Sequence, residues 1–341
     1  MYQVAALISP GKIVLQSRSY PDLGDNEVLV RMAWAGVCGT DLAIFSGHYQ
    51  VALPLVLGHE FSGRVEDVGS RVSRKLLGKL VTAEINNSCL AYRSLDPCPA
   101  CARGLPTHCA KRTTLGIWRW DGAFAEFIRV PVGNIHILPP EISPKEGIFV
   151  EPLAAAIQTF ELTKINPGDT VVILGIGRLG TLICAVANAQ GVRTIAVSRS
   201  RDKLERGKRY GAGEVIDSSI PDPITRVKEI TSGLGADIVV DATGSPQGLE
   251  LALNMVRPRG AIILKTTSGV LAQGLDVTRI AVDEIRIQGS RCGPFDKAIA
   301  MLKDKKIDVE PLISAVYPLR QTEQAIRAAA RESKVLIENR L

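Results

Sequence analysis

No run of about 18 apolar residues, the length a membrane-spanning helix requires, occurs in the 341-residue chain. The opening Met1-Tyr-Gln-Val-Ala-Ala6 has neither a basic segment nor an apolar core of secretory type, so a cytoplasmic protein without a membrane partner is expected. Aromatic residues are scarce, at 5%, while 31 glycines and 19 prolines imply many turns. With 46% hydrophobic and 22% charged residues, the composition excludes disorder and suits a soluble α/β protein. An even disulfide framework is also missing. There are seven cysteines, and Cys89, Cys98, Cys101 and Cys109 crowd into one short stretch, with Cys38 upstream and Cys184 and Cys292 scattered. In a reducing compartment such a cluster reads as metal ligation.

Basic residues outnumber acidic ones by 41 to 35, a net charge of +6. Most of the excess lies between Arg193 and Arg209, where Arg193, Arg199, Arg201, Lys203, Arg206, Lys208 and Arg209 face only Asp202 and Glu205. Such a run suits a solvated helix face or a polyanion. It carries one bordering aromatic, Tyr210, and no recognition motif, so no nucleic-acid partner is expected.

The length allows two domains. Up to about residue 150 the chain reads as short strands broken by turns, such as Glu27–Arg31, Phe61–Val65 and Ala125–Val130. Beyond Pro152, apolar strands at Val171–Leu174, Thr194–Val197, Glu214–Ile216, Asp237–Val240 and Ala261–Leu264 alternate with helical stretches. That is the pattern of a parallel sheet covered on both faces. A strand at Lys334–Ile337 is expected to return to the first domain. The expected division is residues 1–152 with 291–341, and residues 153–290.

Val171-Val-Ile-Leu-Gly175-Ile-Gly177-Arg-Leu-Gly180 is a strand running into G-x-G-x-x-G, with an apolar helix after it. The first glycine makes the turn and the second lets a pyrophosphate approach the backbone. The third allows close helix–strand packing, and the helix N-terminus supplies the anion site. This is a Rossmann dinucleotide motif. An NAD-binding fold usually places Asp or Glu about 20 residues on, at the end of the second strand. Here Ser198-Arg199-Ser200-Arg201 stands there, followed by Lys203. A serine beside arginines accepts a 2′-phosphate where a carboxylate would repel it, so NADP(H) is expected over NAD.

Upstream, Gly58-His59-Glu60-Phe-Ser-Gly63-Arg-Val-Glu-Asp-Val-Gly69-Ser-Arg-Val72, Cys38-Gly-Thr40-Asp41 and Val150-Glu151-Pro-Leu153 occur in one order. Together with the cysteine cluster, Asp121–Glu126 and the Gly175 loop, they resemble the medium-chain zinc-dependent alcohol and polyol dehydrogenases over nearly the whole chain. The resemblance implies a doubly wound Rossmann sheet plus a β-rich GroES-like catalytic domain. It also implies hydride transfer between a small alcohol, or its aldehyde or ketone, and a nicotinamide cofactor, in a homodimer or homotetramer.

A catalytic zinc takes about three N, S or O ligands and keeps an open position. Cys38 offers a thiolate, His59 an imidazole, and Glu60 or Glu151 a carboxylate. The resemblance implies that the two glutamates share or exchange the remaining place. Thr40 matches the hydroxyl that hydrogen-bonds the substrate oxygen and starts the proton relay. The histidine usual three residues later is Ala43 here, and His48 is the nearby imidazole.

The second cysteine group is similar to the family's structural zinc lobe, except that eight residues, not two, separate Cys89 from Cys98. The extra segment is long enough to bulge and bring Cys89 back. Thr243, Thr266 and Arg291 lie in segments that end strands on the cofactor side and are expected to touch the nicotinamide half. Trp118 and Trp120 suit either the substrate mouth or the core. Two alternatives stay open: an NAD-dependent polyol or sugar dehydrogenase, and a non-catalytic NADPH-binding member.

Overall fold

The computed structural model describes residues 1–219, 222–265 and 275–340. The chain divides into two compact units, Met1–Glu151 with Ala298–Leu341, and Pro152–Lys297. The second crossing thus falls at residues 297/298, within the helix Phe295–Lys303, against an expectation near 291.

The first unit is organised around the strand Glu27–Gly36, whose apolar residues are largely buried. It pairs antiparallel with Glu60–Val68, with Phe127–Pro131 and with Lys334–Glu338. Its register sets Gly36 opposite Glu60 on one side and Leu336 on the other. Strands Leu80–Ala83, Ile135–Ile137 and Ile313–Pro318 complete a seven-stranded sheet, and Tyr2–Ser9, Lys12–Arg18 and Leu55–Val56 form a three-stranded one. Phe61, Phe124, Phe149 and Leu57 are among the fully buried side chains of this core. The register brings three chain segments, about residues 36–41, 58–60 and 334, to one end of the hub strand.

The second unit is a six-stranded sheet in which every pairing is parallel. In space its strands run Glu214–Asp217, Arg193–Ser198, Thr170–Leu174, Ala236–Asp241, Val256–Leu264 and Arg286–Gly289. Thr170–Leu174 is buried throughout, as a central parallel strand with both faces covered must be. From this strand the chain winds first to one side and then to the other. The reversal leaves a crevice beyond the carboxyl ends of Thr170–Leu174 and Ala236–Asp241, where doubly wound folds bind dinucleotides.

Candidate active site

Cys38, His59 and Glu60 each bring a donor atom to within 4.8 Å of the others. Cys38 caps the short helix Gly39–Phe45, and His59 and Glu60 enter the strand Glu60–Val68, so the grouping follows from the register described above. His59 and Glu60 are buried and Cys38 is half-buried. A thiolate, an imidazole and a carboxylate out of water form a donor set of the kind zinc prefers. Glu151 is also buried, in the first turn of the helix Val150–Glu161, but it does not belong to this converging trio.

The sequence reading assigned no role to Asp41, which is completely buried behind the trio. Its Oδ2 accepts the Cys38 amide at 2.8 Å, its Oδ1 accepts the Gly58 amide at 3.1 Å, and Oδ1 stands 3.5 Å from His59 Nδ1. One carboxylate thereby fixes both flanks of the cluster and occupies the Nδ1 side of the imidazole, leaving Nε2 for a metal. Burial opposes charge on His59, yet Asp41 and Cys38 outweigh it and hold its pKa well above the ordinary histidine value.

Lys334 was missed as well. Its ammonium pairs with Glu60 Oε2, and both side chains are buried. Lysine is seldom so deep without a partner of opposite charge. Gly36 makes the space: a β-carbon there would lie 2.7 Å from Glu60 Oε2 and 2.9 Å from Lys334 Cε. Ser314 Oγ accepts the Lys334 amide at 3.2 Å and holds the base of the side chain. Thr40, half-buried, has its Oγ1 3.9 Å from Cys38 Sγ. His48 is exposed, its Nδ1 engaged with Ser46 Oγ at 2.7 Å, a turn contact.

Cys89, Cys98, Cys101 and Cys109 form a second buried group with all four sulfurs within 4.8 Å. The long Cys89–Cys98 spacing is absorbed by a tight turn. Tyr92 N reaches Ser88 O, Arg93 N reaches Leu90 O and Ser94 N reaches Cys89 O, with Arg93 in the left-handed region. The amides of Cys101 and Ala110 lower the Cys98 thiol to about 6, so a thiolate is ready for a cation. Cys184, by contrast, is pushed up to about 12 by burial in the helix Arg178–Ala189, which makes it an inert packing residue.

In the second unit the glycine loop has the expected form. Gly175 has φ +88°, and a β-carbon on Gly180 would lie 2.0 Å from Gly175 O. The β-carbon position of Gly177 faces open space, so a phosphate can approach the helix N-cap there. Ser198 is buried at the end of its strand, while Arg199, Arg201 and Lys203 are exposed around the start of the helix Arg201–Arg209. Arg206 turns inward, donating to Ile176 O at 3.0 Å and Thr181 Oγ1 at 3.1 Å. It ties the basic helix to the glycine loop, a use that no count of charges distinguishes. Thr243 donates from its Oγ1 to buried Asp241 Oδ1 at 2.7 Å. Arg291 follows the sixth strand, and Thr266 lies outside the described residues. In the first unit, Trp118 is 42% exposed, whereas Trp120 donates to Arg129 O at 2.8 Å and lies under the Arg129 guanidinium.

Comparison with known proteins accords with both units. Residues 24–140 match the alcohol dehydrogenase GroES-like domain, and residues 179–304 match the zinc-binding dehydrogenase family. A sorbitol dehydrogenase of Halalkalibacterium halodurans is 30% identical over 93% of this chain and 92% of its own. Among solved structures, a zinc-binding dehydrogenase from Sinorhizobium meliloti 1021 bound to NADP is 30% identical, with TM-score 0.88 over 99% of both chains. An alcohol dehydrogenase of Escherichia coli CFT073 complexed with NADH is 26% identical, with TM-score 0.90 over 99% of both. The motifs, the doubly wound sheet, the GroES-like unit and these relatives have one common explanation: the chain belongs to the medium-chain zinc-dependent alcohol and polyol dehydrogenase family.

Proposed function

We propose that the protein transfers a hydride between a small alcohol, or its aldehyde or ketone, and NADP(H), using a zinc ion held by Cys38, His59 and Glu60. The observation that carries this reading is the convergence of those three donors, two of them buried, backed by Asp41, in a chain whose other unit keeps the dinucleotide loop. A zinc ion there supplies Lewis-acid polarisation of the substrate oxygen. The chain's residues do the rest. Asp41 holds the Cys38 backbone and faces His59 Nδ1, and Thr40 Oγ1, beside Cys38, accepts a hydrogen bond from the substrate's hydroxyl. Lys334 pairs with Glu60 and aims it. Glu151, in the first turn of the helix Val150–Glu161, is the carboxylate that would share or exchange that place with Glu60.

The cofactor preference rests on Ser198 and Arg199. With no carboxylate at that strand end, Arg199, Arg201 and Lys203 are free to meet a 2′-phosphate. Charge-assisted hydrogen bonds contribute about 1.5–3 kcal/mol each, so one or two give roughly a 10- to 10⁴-fold preference for NADP(H). The expected result is a higher kcat/KM with NADPH than with NADH, reversed by Ser198→Asp with Arg199→Leu. Equal efficiencies, or a lead for NADH, would sink the assignment and favour the second reading, an NAD-dependent polyol dehydrogenase. The names of relatives such as the sorbitol dehydrogenase support that alternative.

The four-cysteine lobe is assigned a structural zinc, closed to substrate. Cys101→Ser is expected to lower thermal stability and remove one zinc per chain while the metal at Cys38 stays; elemental analysis and a melting curve check both. A cytoplasmic homodimer or homotetramer completes the proposal, in keeping with the exposed sheet edge Arg286–Gly289 and its Ile287.

A further inference from the structure

Lys265 follows the strand Val256–Leu264, at the carboxyl edge of the six-stranded sheet. Its ammonium donates to three oxygens: Ala155 O at 2.6 Å, Ser290 Oγ at 3.0 Å and Arg291 O at 3.1 Å. Ala155 belongs to the helix Val150–Glu161, and Ser290 and Arg291 follow the strand Arg286–Gly289. An ammonium has three protons, and here each has an acceptor. The charge is spent on tying two segments together, not held out to solvent.

Two other contacts fix the same segment. The Ser290 amide extends the sheet by donating to Leu264 O at 3.0 Å. A β-carbon on Gly293 would lie 1.9 Å from Ala154 O and 2.9 Å from Gln158 Cβ, so the backbone there rests directly on the helix. Residues 290–293 are therefore held by the ladder, by a close backbone contact and, between them, by Lys265.

In a doubly wound fold the pyrophosphate sits at the glycine loop and the adenine ribose at the end of the second strand. Those positions are Gly175–Gly180 and Ser198 in this chain. The other mononucleotide half must lie across the switch point, over the carboxyl ends of Ala236–Asp241, Val256–Leu264 and Arg286–Gly289. Lys265 and the segment it ties are at that end. We propose that Lys265 is a positioning residue for the nicotinamide half of the cofactor, acting through the Ser290–Arg291 backbone. The inference rests on the dinucleotide-binding reading above. A segment that orients a reacting ring must be placed to within about 0.5 Å, which accounts for a committed cation where an apolar side chain would only pack.

The test is equilibrium binding to the purified zinc-loaded protein, comparing NADPH with 2′-phospho-ADP-ribose, the same cofactor without its nicotinamide. If NADH binds better, NADH and ADP-ribose are the pair. Lys265→Met is expected to raise the Kd of the dinucleotide about 10-fold while changing that of the fragment less than about 2-fold. The shift and enhancement of bound nicotinamide fluorescence should fall with it. Ser290→Ala removes one of the three acceptors and is expected to move the dinucleotide alone, by about 2- to 3-fold, so it decides the matter even if the lysine variant does not fold. A fragment that weakens as much as the dinucleotide, or a dinucleotide that does not weaken, overturns the proposal. Failure of the unmodified protein to bind either reduced cofactor would instead overturn the cofactor reading, and this inference with it.

Discussion

Cys38→Ser is expected to lower turnover by on the order of 10³-fold or more and to remove one of two zinc ions per chain. A serine hydroxyl is a neutral, hard and weak donor where a thiolate supplies charge and softness, so the site loses its strongest bond to the metal. Asp41→Asn keeps the shape but weakens the support of His59, and a 10- to 100-fold loss of zinc affinity is expected from it. Zinc analysis with kinetics on both variants checks the pair. A single zinc ion per chain that survives Cys38→Ser would put the metal in the four-cysteine lobe alone and defeat the catalytic assignment.

Lys334→Met should destabilise the protein by about 3–5 kcal/mol, the usual cost of leaving one charge of a buried pair alone. Beside the pair, the Phe149 ring lies 5.7 Å from the ammonium, and Gly36 leaves a gap, not a donor. The double variant Lys334→Met with Glu60→Leu is expected to recover most of that loss, since two apolar side chains can fill the space that the ions occupied. Urea denaturation of the zinc-free protein measures both. Additive losses in the double variant would mean that the two side chains stabilise the fold independently and that the pair is not a coupled unit.

The parts of the site that were legible in the sequence are those in which the chemistry is contiguous. Gly175, Gly177 and Gly180 announce their roles because turn, approach and packing all fall within six residues. Cys38, His59 and Glu60 were found through motifs, but the choice between Glu60 and Glu151 was not readable, because it depends on where the hub strand sets its partners. The register Gly36 to Glu60 and Gly36 to Leu336 decides that Glu60 joins the cluster and that Lys334 stands beside it. Nothing local marks a lysine 274 residues away as its partner. Asp41 was visible inside a motif, yet its role is a matter of direction, set by amides at Cys38 and Gly58. Arg206 counted as one more charge on a basic helix until its guanidinium proved to turn inward. The reverse holds for the Cys89–Cys98 spacing, which looked irregular and is absorbed by an ordinary turn.

The position of Lys334 on the last strand also has a bearing on how the protein is made. At about 5–20 residues per second, roughly 15–60 s separate the synthesis of Cys38 from that of Lys334. During that interval the nascent N-terminal segment carries Cys38 and the carboxylates of Asp41 and Glu60 without the lysine that pairs with Glu60. The Trp34–Gly36 end of the hub strand meanwhile waits with one edge unpaired, because its neighbour Lys334–Glu338 is not yet made, while Phe127–Pro131 already covers Glu27–Arg31 on that edge. The donors of Cys38, His59 and Glu60 therefore come together on a sheet that closes only when the strand Lys334–Glu338 is added, so a polypeptide stopped short of residue 334 would present an open strand edge and an unpaired Glu60 to the cell's degradation machinery.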